Sequence, residues 1–313
     1  MKNKLSISMI LVLLLINACA NFQNPFLKNE KEEVGRGLRI SFEKNTVPDV
    51  IYVGQDFPLS VLIENFGPAL NARLRIYDQI DGDDIAFDET IPIPEATFNE
   101  DSLRRIRGKV IPGRISVPRD DKRVRYQESN VFDGAKANIH AELIAEGYPV
   151  NEMFPLCIKE EDVVGVPCSN NEVETFSDAL TQYRPVTYSP VTISKVEKTA
   201  TALGNGEYFI SLDIVLSNVG GGEIYSGSSD SSSGANSIKS HSMKMPRVSF
   251  GREDLKCSPQ NELVFVDNKA LLNCVGTTQL QQGQEYVERI TEISYEFNYK
   301  TRIKKGPIPI VKR

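Results

Sequence analysis

Few residues in this chain of 313 combine the types and spacing that chemistry requires. His140-Ala-Glu142 precedes Pro155-Leu-Cys157 and Pro167-Cys168, the ingredients of a zinc-held hydroxide with a carboxylate to move its proton. The spacing does not serve that chemistry. Ten residues separate Cys157 from Cys168, whereas zinc ligands favour a knuckle of about two to four. His140 and Glu142 also alternate along a strand-like run from Ala137 to Ala145 instead of opening a helix, so they read as polar residues on a strand face. His241, the other histidine, stands beside a Gly/Ser-rich stretch with no partner for a serine triad. No catalytic residue, metal or cofactor is expected.

Two charged stretches are candidates for binding. Asp78, Asp81, Asp83 and Asp84, followed by Asp88 and Glu89, crowd around Asp81-Gly82. Calcium prefers such oxygen-rich loops, although the order is not that of an EF-hand and Asp-Gly is equally a hairpin turn. Arg104, Arg105, Arg107, Lys109, Arg114, Arg119, Lys122, Arg123 and Arg125 form a basic run relieved by Asp120 and Asp121. It could meet anionic headgroups or acidic polymers, or serve as a solvated strand face and loop. The whole chain has a formal net charge of -6. That sign argues against nucleic acid as a partner, because phosphate binding is driven by basic excess.

The compartment is written in the first residues. Lys2 and Lys4 precede an apolar run from Leu5 to Ile16, about a dozen residues, too short for the roughly 20 that span a bilayer. Residues 1–18 therefore read as a signal peptide. Ile16-Asn17-Ala18-Cys19 resembles a lipobox, which makes Cys19 the expected lipid attachment site; the alternative is ordinary secretion with Cys19 lost or left free. Setting Cys19 aside, the cysteines fall into two close pairs, Cys157 with Cys168 and Cys257 with Cys274, one in each half of the chain. An even count in an exported chain reads as two local disulfides. Four cysteines allow three connectivities, and only this one keeps each bridge within its half.

The elements that would position these residues are strands. Phe57, Leu59, Val61 and Ile63 alternate with polar neighbours before Asn65-Phe66-Gly67. Ile210, Leu212, Ile214 and Leu216 do the same before Asn218-Val219-Gly220, at a constant offset of 153. Four alternating apolar positions followed by Asn-x-Gly suggest one unit used twice. Gly204-Asn205-Gly206 marks a hairpin. Prolines are frequent and helical periodicity is scarce, so the expected fold is all-β: two tandem antiparallel sandwiches. The expected divisions are a tether at 19–34, a first domain at 35–169, a linker at 170–189 and a second domain at 190–313, with a Gly/Ser loop at 220–242.

Three stretches carry a more specific likeness. They are Thr46 to Phe57 with Glu64-Asn-Phe-Gly67, Phe154-Pro-Leu-Cys-Ile158, and Pro190 to Glu197 leading to Ser217-Asn-Val-Gly-Gly-Gly222. Together they resemble an uncharacterised family of exported archaeal surface lipoproteins from small-genome lineages, built of two immunoglobulin-like domains. The resemblance implies that fold and a surface location; it supplies no catalytic residues. The expectation is a non-enzymatic surface lipoprotein, an adhesin, envelope scaffold or binding module, held to the membrane by its lipid and meeting a surface protein or glycan. The alternative is a solute- or polysaccharide-binding lipoprotein serving a transporter, which would need a concave pocket with aromatic platforms.

Overall fold

A computed structural model describes residues 37–78, 87–98, 110–117, 123–127, 132, 134–176, 189–226 and 239–312. The described residues are all-β, without a helix. The strands that carry the architecture are β1 (Leu38–Phe42), β2 (Ile51–Tyr52), β3 (Val61–Asn65), β4 (Leu70–Asp78), β5 (Phe87–Ile93), β6 (Gly113–Val117) and β7 (Lys136–Lys159). They continue as β8 (Asn171–Thr175), β9 (Val191–Gly204), β10 (Glu207–Asn218), β11 (Glu223–Ser226) and β12 (Lys239–Ser240). The last are β13 (Arg247–Phe250), β14 (Lys256–Ser258), β15 (Lys269–Gln279) and β16 (Tyr286–Val311).

The two halves repeat one pairing scheme. In the first, β1-β3-β6 form one sheet and β7-β4-β5 run side by side in another. In the second, β9-β10-β15 and β16-β11-β12 pair in the same chain order. Buried alternating positions such as Val61 and Ile63 in β3, and Ile210, Leu212, Ile214 and Leu216 in β10, hold matching places in the two schemes. Between β9 and β10, Asn205 and Gly206 have φ of 53° and 77°. Two successive positive φ values define the type I′ turn that suits the twist of a hairpin.

What joins the halves is a ladder longer than the sequence suggests. β7 is 24 residues and β16 is 26, against the usual 3–10. They pair antiparallel from Lys136 opposite Pro309 to Lys159 opposite Tyr286, so one sheet passes through both halves. The ladder crosses the boundary drawn at residues 170–189, and Asn171–Thr175 within that interval pairs with β9 as an edge strand.

A bulge keeps the long sheet's inner face continuous. Before it, β7 buries Ala137, Ile139, Ala141, Leu143 and Ala145; after it, Tyr148, Val150, Phe154, Leu156 and Ile158. The register steps between Ala145 opposite Tyr299 and Tyr148 opposite Phe297, so two residues of β7 face one of β16. Without that extra residue a period-two strand would turn its core set to solvent. Gly147 takes the strain at φ 66°, and its N–H donates to Asn298 Oδ1 at 2.9 Å.

Both expected disulfides are present, Cys157–Cys168 and Cys257–Cys274. They belong to a chain that folds in an oxidising environment. Among the described residues no helix is long and apolar enough to cross a membrane.

Candidate functional site

Each half ends its β3-type strand with an asparagine that folds the following turn back on itself. Asn65 is fully buried. Its Oδ1 accepts from the Gly67 N–H at 3.0 Å, and its Nδ2 donates to the carbonyls of Pro68 (2.6 Å) and Pro94 (2.9 Å). Asn218 likewise accepts from the Gly220 N–H at 3.3 Å and donates to the Gly222 carbonyl at 2.8 Å. Such side-chain turns are why asparagine stops a strand.

A tyrosine of the long ladder lies against each turn, but the two hydroxyls fare differently. The Tyr299 hydroxyl accepts from the Gly222 N–H at 2.9 Å and donates to the Gly220 carbonyl at 2.7 Å. The Tyr148 hydroxyl lies so close to Gly67 that a Cβ there would be 2.0 Å from it. It is buried and has no hydrogen-bond partner. Burial, with a smaller contribution from Tyr299, pushes its pKa well above the ordinary tyrosine value.

Tyr148 lines an open groove of about 810 Å³ where the halves meet. Its floor is Tyr148 to Asn151 of β7 with Ser294 to Glu296 of β16. One wall is Phe66, Pro68, Glu95 and Ala96; the other is Lys244, Met245 and Arg247. The Ala96 N–H donates to the Gly67 carbonyl at 3.0 Å, which fixes the first wall to the asparagine turn. In the second wall Lys244 pairs with Glu296 at 3.5 Å.

The floor is held from below. The Tyr295 hydroxyl lies 2.7 Å from Glu152 Oε1 and 3.1 Å from the Val191 carbonyl, and the same carboxylate oxygen accepts from the Ile193 N–H at 3.2 Å. Tyr295 stacks on Phe297, which stacks on Tyr148. The rings are therefore buried, stacked supports within the core, not open platforms. The groove can bury an apolar segment against Phe66, Pro68 and Met245 and orient its polar groups against Glu95, Asn151 and Arg247. Asn65-x-Gly67 was the one sequence signal close to this site.

The residues singled out in the sequence fall elsewhere. Cys19, Asp81, Asp83, Asp84, Arg104, Arg105 and Arg107 lie outside the described residues. Asp78 points into the core, accepting from the Tyr126 hydroxyl and from the Asn138 N–H at 3.0 Å. Arg125 makes a two-pronged pair with Asp56 at 2.7 and 3.0 Å; the hydrogen bond from Arg125 is the main cause of Asp56's lowered pKa. Arg123 lies beside it in a short pairing of Arg123–Val124 with Phe57–Pro58. His140 and Glu142 alternate along β7 on the face opposite the core.

Comparison of the sequence with protein-family models and with curated proteins finds no match.

Proposed function

We propose that the protein is a non-enzymatic binding module of the cell surface, exported by its leader, tethered through Cys19, and built of two immunoglobulin-like halves that present the junctional groove to a surface protein or glycan. The observation that carries this reading is the groove itself: a concave site with an apolar wall and a polar rim, set on a sheet that runs unbroken beneath it. Loops carried on a rigid scaffold are the usual place for recognition. The two disulfides support the export part of the reading. The volume of about 810 Å³ also fits a small ligand, so a solute- or saccharide-binding lipoprotein is the second reading. Burial of the Tyr148 and Tyr295 rings weighs against sugar stacking there.

The test is to fill the groove. Ala96→Trp places a large side chain in the first wall without touching the buried networks. Defined surface glycans and extended peptides should bind the mature protein and lose at least about tenfold in affinity with Ala96→Trp; binding that ignores the plug would place recognition elsewhere. Intact mass of membrane-extracted protein tests the anchor separately. A chain beginning at Cys19 with added lipid supports it, and an unlipidated chain sinks it.

A further inference from the structure

The outer face of the central sheet carries a second, unrelated arrangement. Register places Tyr77 of β4, His140 of β7 and Lys304 of β16 in one row, with Arg75, Glu142 and Arg302 in the next. In the second row the one carboxylate is fully engaged by cations. Arg302 holds Glu142 at 2.9 Å, Lys300 reaches the same carboxylate at 3.4 Å and Arg75 at 3.8 Å.

The first row is different, because it holds donors without acceptors. His140 is only 8% exposed, yet neither ring nitrogen has a hydrogen-bond partner. Its ring stacks on Tyr77 with centroids 5.2 Å apart and planes 10° from parallel. Neither the Tyr77 hydroxyl nor the exposed Lys304 ammonium has a hydrogen-bond or ion-pair partner among the described residues. Buried polar groups are normally satisfied, so an orphaned imidazole needs an explanation. The nearest carboxylates do not supply one. Asp78 is taken up by Tyr126 and the Asn138 N–H, and Glu142 by its three cations.

We infer that Lys304, His140 and Tyr77 form a receptor for one oxyanion of the phosphate or carboxylate kind. An ammonium, an imidazole N–H and a phenol O–H set side by side across three strands would offer such an anion a charge and two directed hydrogen bonds. The ring nitrogens are shielded, so entry requires a neighbouring side chain to move, and Lys304, opposite His140 in the ladder, is exposed. Burial lowers the pKa of His140, and the positive charges of Lys304 and Arg302 lower it further against the opposing influence of Asp78 and Glu142. A bound anion would reverse that balance.

The chain has only two histidines, so both imidazoles can be followed by NMR in the full mature protein. At constant ionic strength, replacing chloride with inorganic phosphate should shift the His140 signals saturably and raise its titration midpoint, while His241 serves as the internal control. Lys304→Gln should weaken the phosphate response at least about fivefold. Tyr77→Phe, which keeps the stacked ring, should weaken it less. Phosphatidylglycerol in phosphatidylcholine vesicles distinguishes a headgroup from a free anion: selective broadening of His140 by the vesicles assigns the lipid source, and a response to inorganic phosphate alone assigns the soluble one. The proposal is overturned if His140 moves no more than His241 with either probe, or if Lys304→Gln responds as the wild type does. The second outcome would leave Lys304 as a charge that merely blunts an open strand edge.

Discussion

Lys198→Met tests whether a buried cation organises the first disulfide loop. Lys198 is 1% exposed. Its ammonium donates to the Cys157 carbonyl, to the Ser169 carbonyl at 2.7 Å and to Glu172 Oε2 at 3.0 Å. Two of these acceptors flank the Cys157–Cys168 bridge, so the lysine ties the loop to β9. Burial lowers its pKa in spite of the hydrogen bond to Glu172, which shows that desolvation outweighs the ion pair. Methionine removes that desolvation cost and keeps most of the stem's packing. Against this, it strands two carbonyls, at about 1–3 kcal/mol each. Glu172 is about a third exposed and can return to water. The carbonyls win, and the expected net loss is about 2–4 kcal/mol, or several degrees in Tm for a chain of this size. The assay is thermal and urea unfolding of wild type and variant, each oxidised and reduced. The loss should shrink on reduction, because an open loop lets the carbonyls rehydrate. A variant as stable as the wild type, or an equal loss in both redox states, would refute the reasoning.

Cys257→Ser should lower the oxidised Tm through loss of a bridge worth about 2–3 kcal/mol by chain entropy, and should leave the reduced protein nearly unchanged; equal losses in both forms would contradict the bridge's role. Burial raises the pKa of Tyr148, Tyr225 and Tyr299, the last to about 12. Their contribution is complete below about pH 10, where tyrosines of the unfolded chain ionise, and is lost as pH rises towards the folded values. Lys198 acts in the opposite direction, one group against four once Tyr208, also raised by burial, is included, so an alkaline melt series should show falling stability above about pH 10 that is softened in Tyr299→Phe. Tyr299→Phe itself should cost about 0.5–1.5 kcal/mol through its lost hydrogen bonds, while Tyr148→Phe, which removes an unsatisfied hydroxyl, should be neutral or stabilising. Equal destabilisation by both would mean that the Tyr148 hydroxyl is satisfied after all.

Local patterns carried the all-β class, the hairpin at Gly204-Asn205-Gly206 and both disulfide pairings, because alternation, Asn-Gly turns and cysteine spacing act over short range. The length of the two ladder strands was not legible. Pro149, Pro155, Pro307 and Pro309 stand within the two ladder strands, although a central strand has no use for a residue without an N–H. They are tolerated here because the affected positions lack a strand partner on the far side of the ladder among the described residues. Asn171–Thr175 carries no apolar alternation, so only its pairing with β9 identifies it as a strand. The groove was equally hidden: its walls come from segments as distant as Phe66 and Arg247, and nothing local in either segment announces the other.

The repeat accounts for where the groove lies. Both halves inherit an asparagine turn and a tyrosine facing it, and the turn residues decide whether the hydroxyl is closed off. Gly220-Gly221-Gly222 has no Cβ to keep the chain away from Tyr299: side chains at Gly220 or Gly222 would come within 2.7 or 2.5 Å of that tyrosine. The glycines can therefore approach closely enough for Gly222 to donate to the hydroxyl. The first half has Gly67-Pro68-Ala69 instead. Pro68 stands where Gly221 takes a φ of 72°, which the proline ring forbids, so this turn cannot wrap the Tyr148 hydroxyl in the same way. Its proline ring faces outward as part of a wall, and the matching surface becomes a groove. Divergence at two turn residues, Pro68 for Gly221 and Ala69 for Gly222, on a repeated frame stiffened by a shared ladder, accompanies a closed turn in one half and an open groove in the other.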